Sequence, residues 1–253
     1  WWMLITFTGV IAVGRVPALW IMGLVSFLAF KEFLTLVPTR PSDRELLFWS
    51  YLAIPLQYWW ISIDWYDMFV VFLPVYVFLA LPMRMVLIGQ ESGMLRATTT
   101  LHWGLMTTVF SLSHIAYLLV LPPPAKGMPP GSLVVLYLVL LTQINNIAHS
   151  LIRVRWQGNR LLPFAAATLL TIILAAALGP FCTPMTFWHS AAAGVLIAVA
   201  GFVGERVMAG VKRDIGLLDG SAQLPGRGGL LERLDSLTFA APVFFHYLHQ
   251  LYY

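Results

Sequence analysis

Long apolar runs separated by short polar, Pro-rich or Gly-rich segments dominate the pattern along the chain. The main runs cover residues 1–14, 17–37, 45–63, 67–88, 94–121, 131–152, 161–180 and 188–210, and a shorter ninth run covers 238–252. Each main run approaches the ~20 residues that a helix needs to cross a bilayer. The runs are continuous rather than alternating, which predicts helices and not the strands of a membrane barrel. The pattern predicts an all-α, polytopic integral membrane protein with eight or nine transmembrane helices in a single domain, residues 1–253.

Composition supports this class. Hydrophobic residues make up 59% of the 253-residue chain and charged residues 10%, and the mean hydropathy is +0.81. A net charge of +4 does not indicate nucleic-acid binding, because the basic residues lie at the ends of apolar runs and form no continuous stripe. Cys182 is the single cysteine, which excludes an intramolecular disulfide and a Cys-based zinc site.

The basic residues predict the orientation in the membrane. The segments after the second, fourth, sixth and eighth runs carry twelve Lys and Arg residues, whereas those after the first, third, fifth and seventh carry two. Because segments rich in Lys and Arg stay in the cytoplasm, residues 205–235 are predicted to face the cytoplasm. Aromatic clusters at 58–60 and 65–66 then mark the opposite interface.

Residues 205–235, called here the signature segment, concentrate the charge. They hold ten of the 26 charged residues, five of each sign. Glu205 and Lys212 are seven residues apart, as are Arg206 and Arg213, so each pair shares one face if the eighth helix continues through them. One interpretation is a solvated loop whose charges pair among themselves.

The other interpretation of the signature segment is a phosphate site. Residues 225–229 read P-G-R-G-G, and such glycines let backbone N–H groups approach a phosphate closely. Glu232, Arg233 and Asp235 follow directly. Carboxylates that hold Mg²⁺ beside cations that neutralise phosphate oxygens would suit a metal-assisted phosphate reaction.

Residues 211–236 read V-K-R-D-I-G-L-L-D-G-S-A-Q-L-P-G-R-G-G-L-L-E-R-L-D-S. They resemble the signature of the phosphatidate cytidylyltransferases, also called CDP-diacylglycerol synthases, which runs S-x-x-K-R-D-x-x-x-K-D, a spacer, then P-G-H-G-G-x-x-D-R-x-D-S. Residues 240–246 also resemble the family, and weaker matches to a bacterial branch of it lie upstream at 33–40, 54–58, 63–66 and 73–79. The chain is therefore identified as a divergent bacterial member.

The resemblance implies an activity and its partners. Members of the family are polytopic membrane enzymes that condense CTP with phosphatidic acid to give CDP-diacylglycerol and pyrophosphate in phospholipid biosynthesis. The implied cofactor is Mg²⁺, with a second, monovalent cation left open. CTP, phosphatidic acid and membrane lipid are the expected partners, nucleic acid is not, and a homodimer is the default assembly.

The resemblance also assigns roles to residues that match the family pattern. The implied catalytic residues are Lys212, Arg213, Asp214, Asp219 and Arg233. The implied substrate-binding residues are Asn145, Asn146, Arg227, Gly228 and Gly229. The implied metal ligands are Glu205, Glu232 and Asp235, of which the two glutamates replace the usual aspartates with a longer arm.

The chain departs from the family pattern at several polar positions. Residues 142–149 resemble T-x-x-N-D-x-A-Q, but Asn146 replaces the acid, and an amide binds a divalent cation less strongly. Where the family has S-P-x-K-T-x-E-G, this chain has the apolar residues 164–169. Arg227, Leu218 and Ala209 replace a His, a Lys and a Ser of the signature.

Three functions remain open at this point. The retained acids and cations favour a CDP-lipid-forming nucleotidyltransferase, with phosphatidic acid or a related lipid phosphate as acceptor. The missing polar segment favours a catalytically impaired member that acts as a membrane scaffold or lipid-binding partner of other phospholipid enzymes. A transporter is the weakest alternative, because no inverted repeat is visible.

Some polar residues in the apolar runs have simpler explanations. His102, His114 and His149 are too dispersed for a metal motif and are expected to make interhelical contacts. Lys31 and Glu32, near the predicted lipid boundary, are expected to reach toward water or to pair.

Overall fold

The computed structural model describes residues 7–9, 14–37, 40, 43–90, 92–123, 127–156, 161–215 and 229–253. Within these ranges the chain forms eight long helices and no strand. They are α1 (Arg15–Leu36), α2 (Arg44–Ser62), α3 (Tyr66–Leu87), α4 (Met94–Val120), α5 (Gly131–Arg155), α6 (Leu161–Cys182), α7 (Phe187–Asp214) and α8 (Leu230–Tyr252). Six of them, α1 and α3 to α7, are long and apolar enough to cross a membrane. The predicted all-α polytopic fold is confirmed, whereas the count of eight or nine spans stays a prediction.

The helices follow the second to eighth predicted apolar runs closely, with one informative difference at α8; of the first run, 1–14, residues 1–6 and 10–13 lie outside the described residues. This helix begins at Leu230, eight residues before the ninth apolar run. Its first turns are amphipathic, because Leu231 and Leu234 are buried while Glu232 and Arg233 are exposed. Apolar residues three apart are the helical signal that extends α8 into the signature segment.

Both ends of the signature segment are helical. Residues 205–214 form the last turns of α7, so the helix of the eighth run continues past Gly204. Residues 230–235 open α8. Of the segment between, residues 216–228 lie outside the described residues.

Successive helices run in opposite directions, and contacts between their ends group those ends into two sets. At one end, Arg84 of α3 forms an ion pair with Glu45 of α2 at 2.9 Å. At the other end, the Tyr117 hydroxyl of α4 donates a hydrogen bond to Asp64, 3.0 Å away, in the connection between α2 and α3. The Glu32 carboxylate near the end of α1 contacts the start of α8, so the Arg- and Lys-rich ends of α1, α3 and α7 lie at the same end of the bundle.

Two of the helices contain a wide π-helical turn that the sequence analysis did not predict. One covers Phe72–Val77 in α3, where Pro74 lacks the N–H that a regular helix would use. The other covers Leu105–Phe110 in α4, where the Thr108 hydroxyl donates to the Gly104 carbonyl at 2.7 Å. Only the first has a proline as a sequence signal.

Helix α7 packs between α6 and α8 through glycines. A Cβ atom at Gly194 would lie 2.7 Å from the Ala175 side chain of α6, and one at Gly204 would lie 2.6 Å from the Asp235 carbonyl oxygen of α8. Small residues permit such close approach between helices in a membrane. The contact at Gly204 presses the first turns of α8 against the charged end of α7, where the predicted site residues lie.

Candidate active site

A hydrogen bond links α7 to α8 directly beside their closest approach. The Ser236 hydroxyl of α8 lies 3.1 Å from the Glu205 Oε1 atom of α7 and can donate to it. Glu205 follows Gly204, and Ser236 follows Asp235, so the glycine contact sets the distance between the two polar groups. The close backbone approach thus brings a carboxylate and a hydroxyl within hydrogen-bond distance.

Asn146 of α5 joins this pair. Its side-chain amide lies 2.7 Å from the Ser236 hydroxyl. With the amide turned so that the nitrogen faces Glu205, Nδ2 donates to Glu205 Oε1 at 3.3 Å and to the Thr142 carbonyl at 3.2 Å, and Oδ1 accepts from Ser236. Ser236 has one proton, so it donates either to Glu205 or to Asn146. In both orientations the three residues form one cluster, called here the Glu205 cluster, that joins α5, α7 and α8.

Asp235 lies beside the cluster in the first turns of α8, ahead of its long apolar part. Its side chain is buried, with 6% of the residue exposed. Its Oδ2 atom is 3.5 Å from the Lys212 ammonium, and its buried Oδ1 atom has no hydrogen-bond partner among the described residues. Burial raises the pKa of Asp235 to about 6; Lys212 opposes this rise, and the charges of Glu232 and Glu205 add to it. The three acids are therefore electrostatic neighbours.

These donors fit Mg²⁺ in chemical type. Mg²⁺ prefers carboxylate oxygens and keeps several waters, and the unpartnered Oδ1 atom of Asp235 is a buried acceptor that a cation would satisfy. Glu232 is exposed on the same turn. Across the described ranges, no three His, Cys, Asp or Glu side chains are grouped closely enough to hold a metal ion. The three-ligand set of Glu205, Glu232 and Asp235 therefore stays a prediction.

The other predicted site residues fall into three sets. Arg213, Asp214 and Arg233 are exposed at the same end of the bundle as the cluster. Asn145 is instead turned toward α6, where its Oδ1 atom accepts a hydrogen bond from the Thr171 hydroxyl at 3.2 Å. Three predicted residues lie outside the described residues: Asp219, Arg227 and Gly228.

The start of α6 is apolar where the family pattern has polar residues. The Phe164 ring packs on the Phe202 ring of α7 with 4.5 Å between centroids, and the Arg206 guanidinium lies over the same Phe202 ring at 4.5 Å. The buried Thr168 hydroxyl has no hydrogen-bond partner in the described part of the chain. This segment therefore supplies helix packing at the position of the missing polar chemistry.

Glu32 is a residue that the sequence analysis did not assign to the site. Its carboxylate accepts a hydrogen bond from the Leu231 backbone N–H of α8 at 3.2 Å, and it occupies the place that a side chain at Gly229 would need. The sequence signal was a carboxylate within an apolar run. Its partner could not be read from the sequence, because the two residues are 199 positions apart.

A known protein family and a full-length relative both match this chain. The model described as "Cytidylyltransferase family" matches residues 1–251. The chain is 38% identical to the uncharacterized protein YnbB of Escherichia coli (strain K12), with 100% of this chain and 86% of that protein covered.

Two shorter matches are to proteins named phosphatidate cytidylyltransferase. The match in Synechocystis is 32% identical and covers 30% of this chain and 27% of that protein. The match in Mycobacterium bovis is 35% identical and covers 34% of this chain and 26% of that protein. The chain thus matches about a quarter of the length of these two relatives.

Proposed function

Because this chain belongs to the cytidylyltransferase family, we propose that it converts phosphatidic acid and CTP to CDP-diacylglycerol and pyrophosphate in phospholipid biosynthesis. A related lipid phosphate is the alternative acceptor. The observation that carries the proposal is the convergence of Glu205, Asp235 and Ser236 beside Lys212, with one buried oxygen of Asp235 unpartnered. Acids and a cation in this arrangement suit the handling of phosphate groups.

The reaction exchanges one phosphoanhydride bond for another. An oxygen of the lipid phosphate attacks the α-phosphorus of CTP and forms the new P–O bond, while the bond from the α-phosphorus to the bridging oxygen breaks. Pyrophosphate leaves with that bridging oxygen and the electron pair. The protein contributes by aligning the two phosphates and by neutralising their charge.

Glu205 and Asp235, with Glu232 at the exposed edge, would hold Mg²⁺. The ion, when bound, neutralises charge on the phosphate oxygens and on the leaving pyrophosphate. Ser236 and Asn146 fix the orientation of the Glu205 carboxylate through their hydrogen bonds. Such outer contacts keep a ligating carboxylate in one position.

Lys212 has two partners in the proposed cycle. Without substrate, its ammonium group pairs with Asp235 at 3.5 Å, which is a loose contact for an ion pair. When nucleotide binds, the ammonium group turns to a phosphate oxygen and leaves Asp235 free to bind the cation. Arg213 and Arg233, exposed at the same end, add positive charge for the pyrophosphate.

The site is proposed to face the cytoplasm of a bacterial inner membrane. It lies at the end of the bundle that gathers the basic helix ends, such as those of Arg84 and Arg213, and basic ends are typical of the cytoplasmic side. CTP reaches the site from the cytoplasm, and the lipid acceptor reaches it from the adjacent leaflet.

A second candidate function is a catalytically impaired family member that serves as a scaffold or lipid-binding partner. Two observations favour it. Lys212 already neutralises Asp235, and the start of α6 presents Phe164 to α7 instead of polar groups. In this alternative the Lys212–Asp235 ion pair is permanent and the Glu205 cluster is structural.

Catalysis by the purified protein decides between the two. The full chain in detergent is incubated with labelled CTP, phosphatidic acid and Mg²⁺, and CDP-lipid is separated by thin-layer chromatography. We expect labelled CDP-diacylglycerol from the wild type and a loss of about a hundredfold or more in Glu205→Gln and Asp235→Asn, because each removes a carboxylate that supports transition-state charge.

Asp67→Asn is the matched control, because Asp67 is an exposed carboxylate at the opposite end of the bundle. Its activity should equal that of the wild type. Absence of product with several lipid acceptors and metal ions, beside an active phosphatidate cytidylyltransferase, would exclude the enzymatic proposal and leave the impaired member.

A further inference from the structure

The Glu32 carboxylate lies across the N-terminus of α8. It comes from the charged end of α1 and accepts the Leu231 backbone N–H at 3.2 Å. Gly229 is the N-cap residue of α8 and provides no side-chain hydrogen bond to the helix. Glu32, which is distant in the chain, therefore caps the N-terminus of α8. The helix dipole also favours a negative charge at this position.

The Glu32 carboxylate lies where a side chain at position 229 would be. The backbone there has φ −63° and ψ 177°, a conformation that any L-residue adopts. A Cβ atom at Gly229 would overlap the Glu32 carboxylate, so a larger residue there would displace that carboxylate from α8. The last glycine of the P-G-R-G-G sequence thus leaves room for a carboxylate of α1.

The first two turns of α8, whose N-terminus Glu32 caps, carry residues of the candidate site. Asp235 and Ser236 are reached within two helical turns of Gly229, and both meet α7 at Gly204 and Glu205. α8 is held at this end by the glycine contact with α7 on one side and by the Glu32 contact with α1 on the other. Loss of either contact would free the first turns of α8.

We propose that Glu32 is a positioning residue that fixes the first turns of α8, and with them Asp235 and Ser236, against α7. It acts through α8 and does not touch the reacting groups. The effect on catalysis rests on the proposed function, whereas the effect on α8 does not. Glu32 thereby couples α1, at the start of the chain, to the site at its end.

Hydrogen exchange in detergent measures the position of α8 independently of activity. We expect Glu32→Ala to raise amide exchange over residues 229–236 by roughly fivefold, as for the loss of a helix cap. Glu32→Gln retains an oxygen acceptor and should change exchange less. Lys31→Ala is the matched control, because Lys31 is the adjacent charged and exposed residue of α1, and its exchange should equal that of the wild type.

Gly229→Ala tests the same contact from the other partner. Its Cβ atom displaces the Glu32 carboxylate, so its exchange should match that of Glu32→Ala. The double variant should exchange no faster than either single variant, because both remove one interaction. Additive increases, or unchanged exchange in Glu32→Ala, would overturn the proposal.

Kinetics separate positioning from a role in binding nucleotide. Positioning predicts that Glu32→Ala lowers kcat by about tenfold with little change in KM for CTP, and that Glu32→Gln restores most of the loss. If Glu32 instead occupied the place of a nucleotide phosphate, both variants would lower KM for CTP, and this result would overturn the proposal. A wild type without CDP-lipid activity would end the proposed function, while the exchange experiment would still decide the role of Glu32.

Discussion

The Ser236 hydroxyl of α8 lies 3.1 Å from the Glu205 carboxylate of α7. Glu205 opens the signature segment and Ser236 directly follows its last residue, yet the two meet because Gly204 lets α8 approach α7 to within contact of the Asp235 backbone. A hydroxyl, two carboxylates and a lysine are thereby held at one end of the bundle.

Gly204→Ala should separate α7 from α8. The added Cβ atom would lie 2.6 Å from the Asp235 carbonyl oxygen, a backbone atom that cannot turn away, so we expect a destabilisation of about 1–3 kcal/mol. CDP-lipid formation should fall as well, because Ser236 moves away from Glu205. Thermal unfolding in detergent and the activity assay measure the two effects.

Gly210→Ala is the matched control on the same helix. A Cβ atom at Gly210 would meet no atom within 4 Å, so replacing a helical glycine should stabilise the protein by about 0.5–1 kcal/mol. Equal unfolding temperatures for the two variants would contradict the role given to Gly204.

Asn146→Asp should make the site more dependent on Mg²⁺. An Asp carboxylate at position 146 would lie next to the Glu205 carboxylate. The Asn146 amide nitrogen, when turned toward Glu205, is 3.3 Å from its Oε1 atom. Without metal the two negative charges repel, and we expect a loss of about 1–3 kcal/mol. Mg²⁺ should reverse the loss and raise activity, because the acid is a stronger ligand than the amide.

Asn145→Asp provides the comparison. The Asn145 Oδ1 atom accepts from Thr171 of α6, away from Glu205, so the same change there should destabilise the protein without rescue by Mg²⁺. Melting curves across a Mg²⁺ titration distinguish the two variants. Rescue of both, or of neither, would place Asn146 outside the metal site.

Asp235 should make the metal-free protein sensitive to pH. Burial raises its pKa from 3.8 to about 6, so the folded state favours the protonated carboxyl. Its contribution to stability is fully present below about pH 3.8 and is lost as pH rises through about 6. Between about pH 5 and about pH 7.5, wild-type stability should therefore fall by about 1 kcal/mol relative to Asp235→Asn, whose amide does not titrate.

Unfolding temperatures measured with a chelator at both pH values test this expectation. Mg²⁺ at the higher pH should recover the wild type and leave Asp235→Asn unchanged, because only the carboxylate binds the ion. Parallel pH dependence in the two proteins would mean that Asp235 does not titrate in this range.

The sequence alone predicted most of the helical architecture. Apolar runs of spanning length identified α1 to α7, because a helix in lipid must present apolar side chains along its whole length. The start of α8 was missed because Glu232, Arg233 and Asp235 interrupt its apolar pattern. The buried Leu231 and Leu234 show that only one face of that turn needed to be apolar.

The candidate site was predicted in part. The family resemblance selected Glu205, Lys212 and Asp235, and helical spacing placed Glu205 and Lys212 on one face of α7. The sequence did not distinguish Asn145 from its neighbour Asn146. In the structure Asn146 contacts Ser236, whereas Asn145 contacts Thr171. On a helix, successive side chains point about 100° apart, so the choice between them depends on which neighbour each face meets.

Side-chain type and spacing along the chain therefore determined which segments are helices, which ends are basic and which residues carry charge. Only the tertiary structure decided that Glu32 caps α8 and that Ser236 meets Glu205. Lipid satisfies every apolar helix face about equally, so hydropathy does not choose between lateral neighbours. That choice is made by close packing at positions such as Gly204 and Gly229, where the absence of a side chain admits one particular partner.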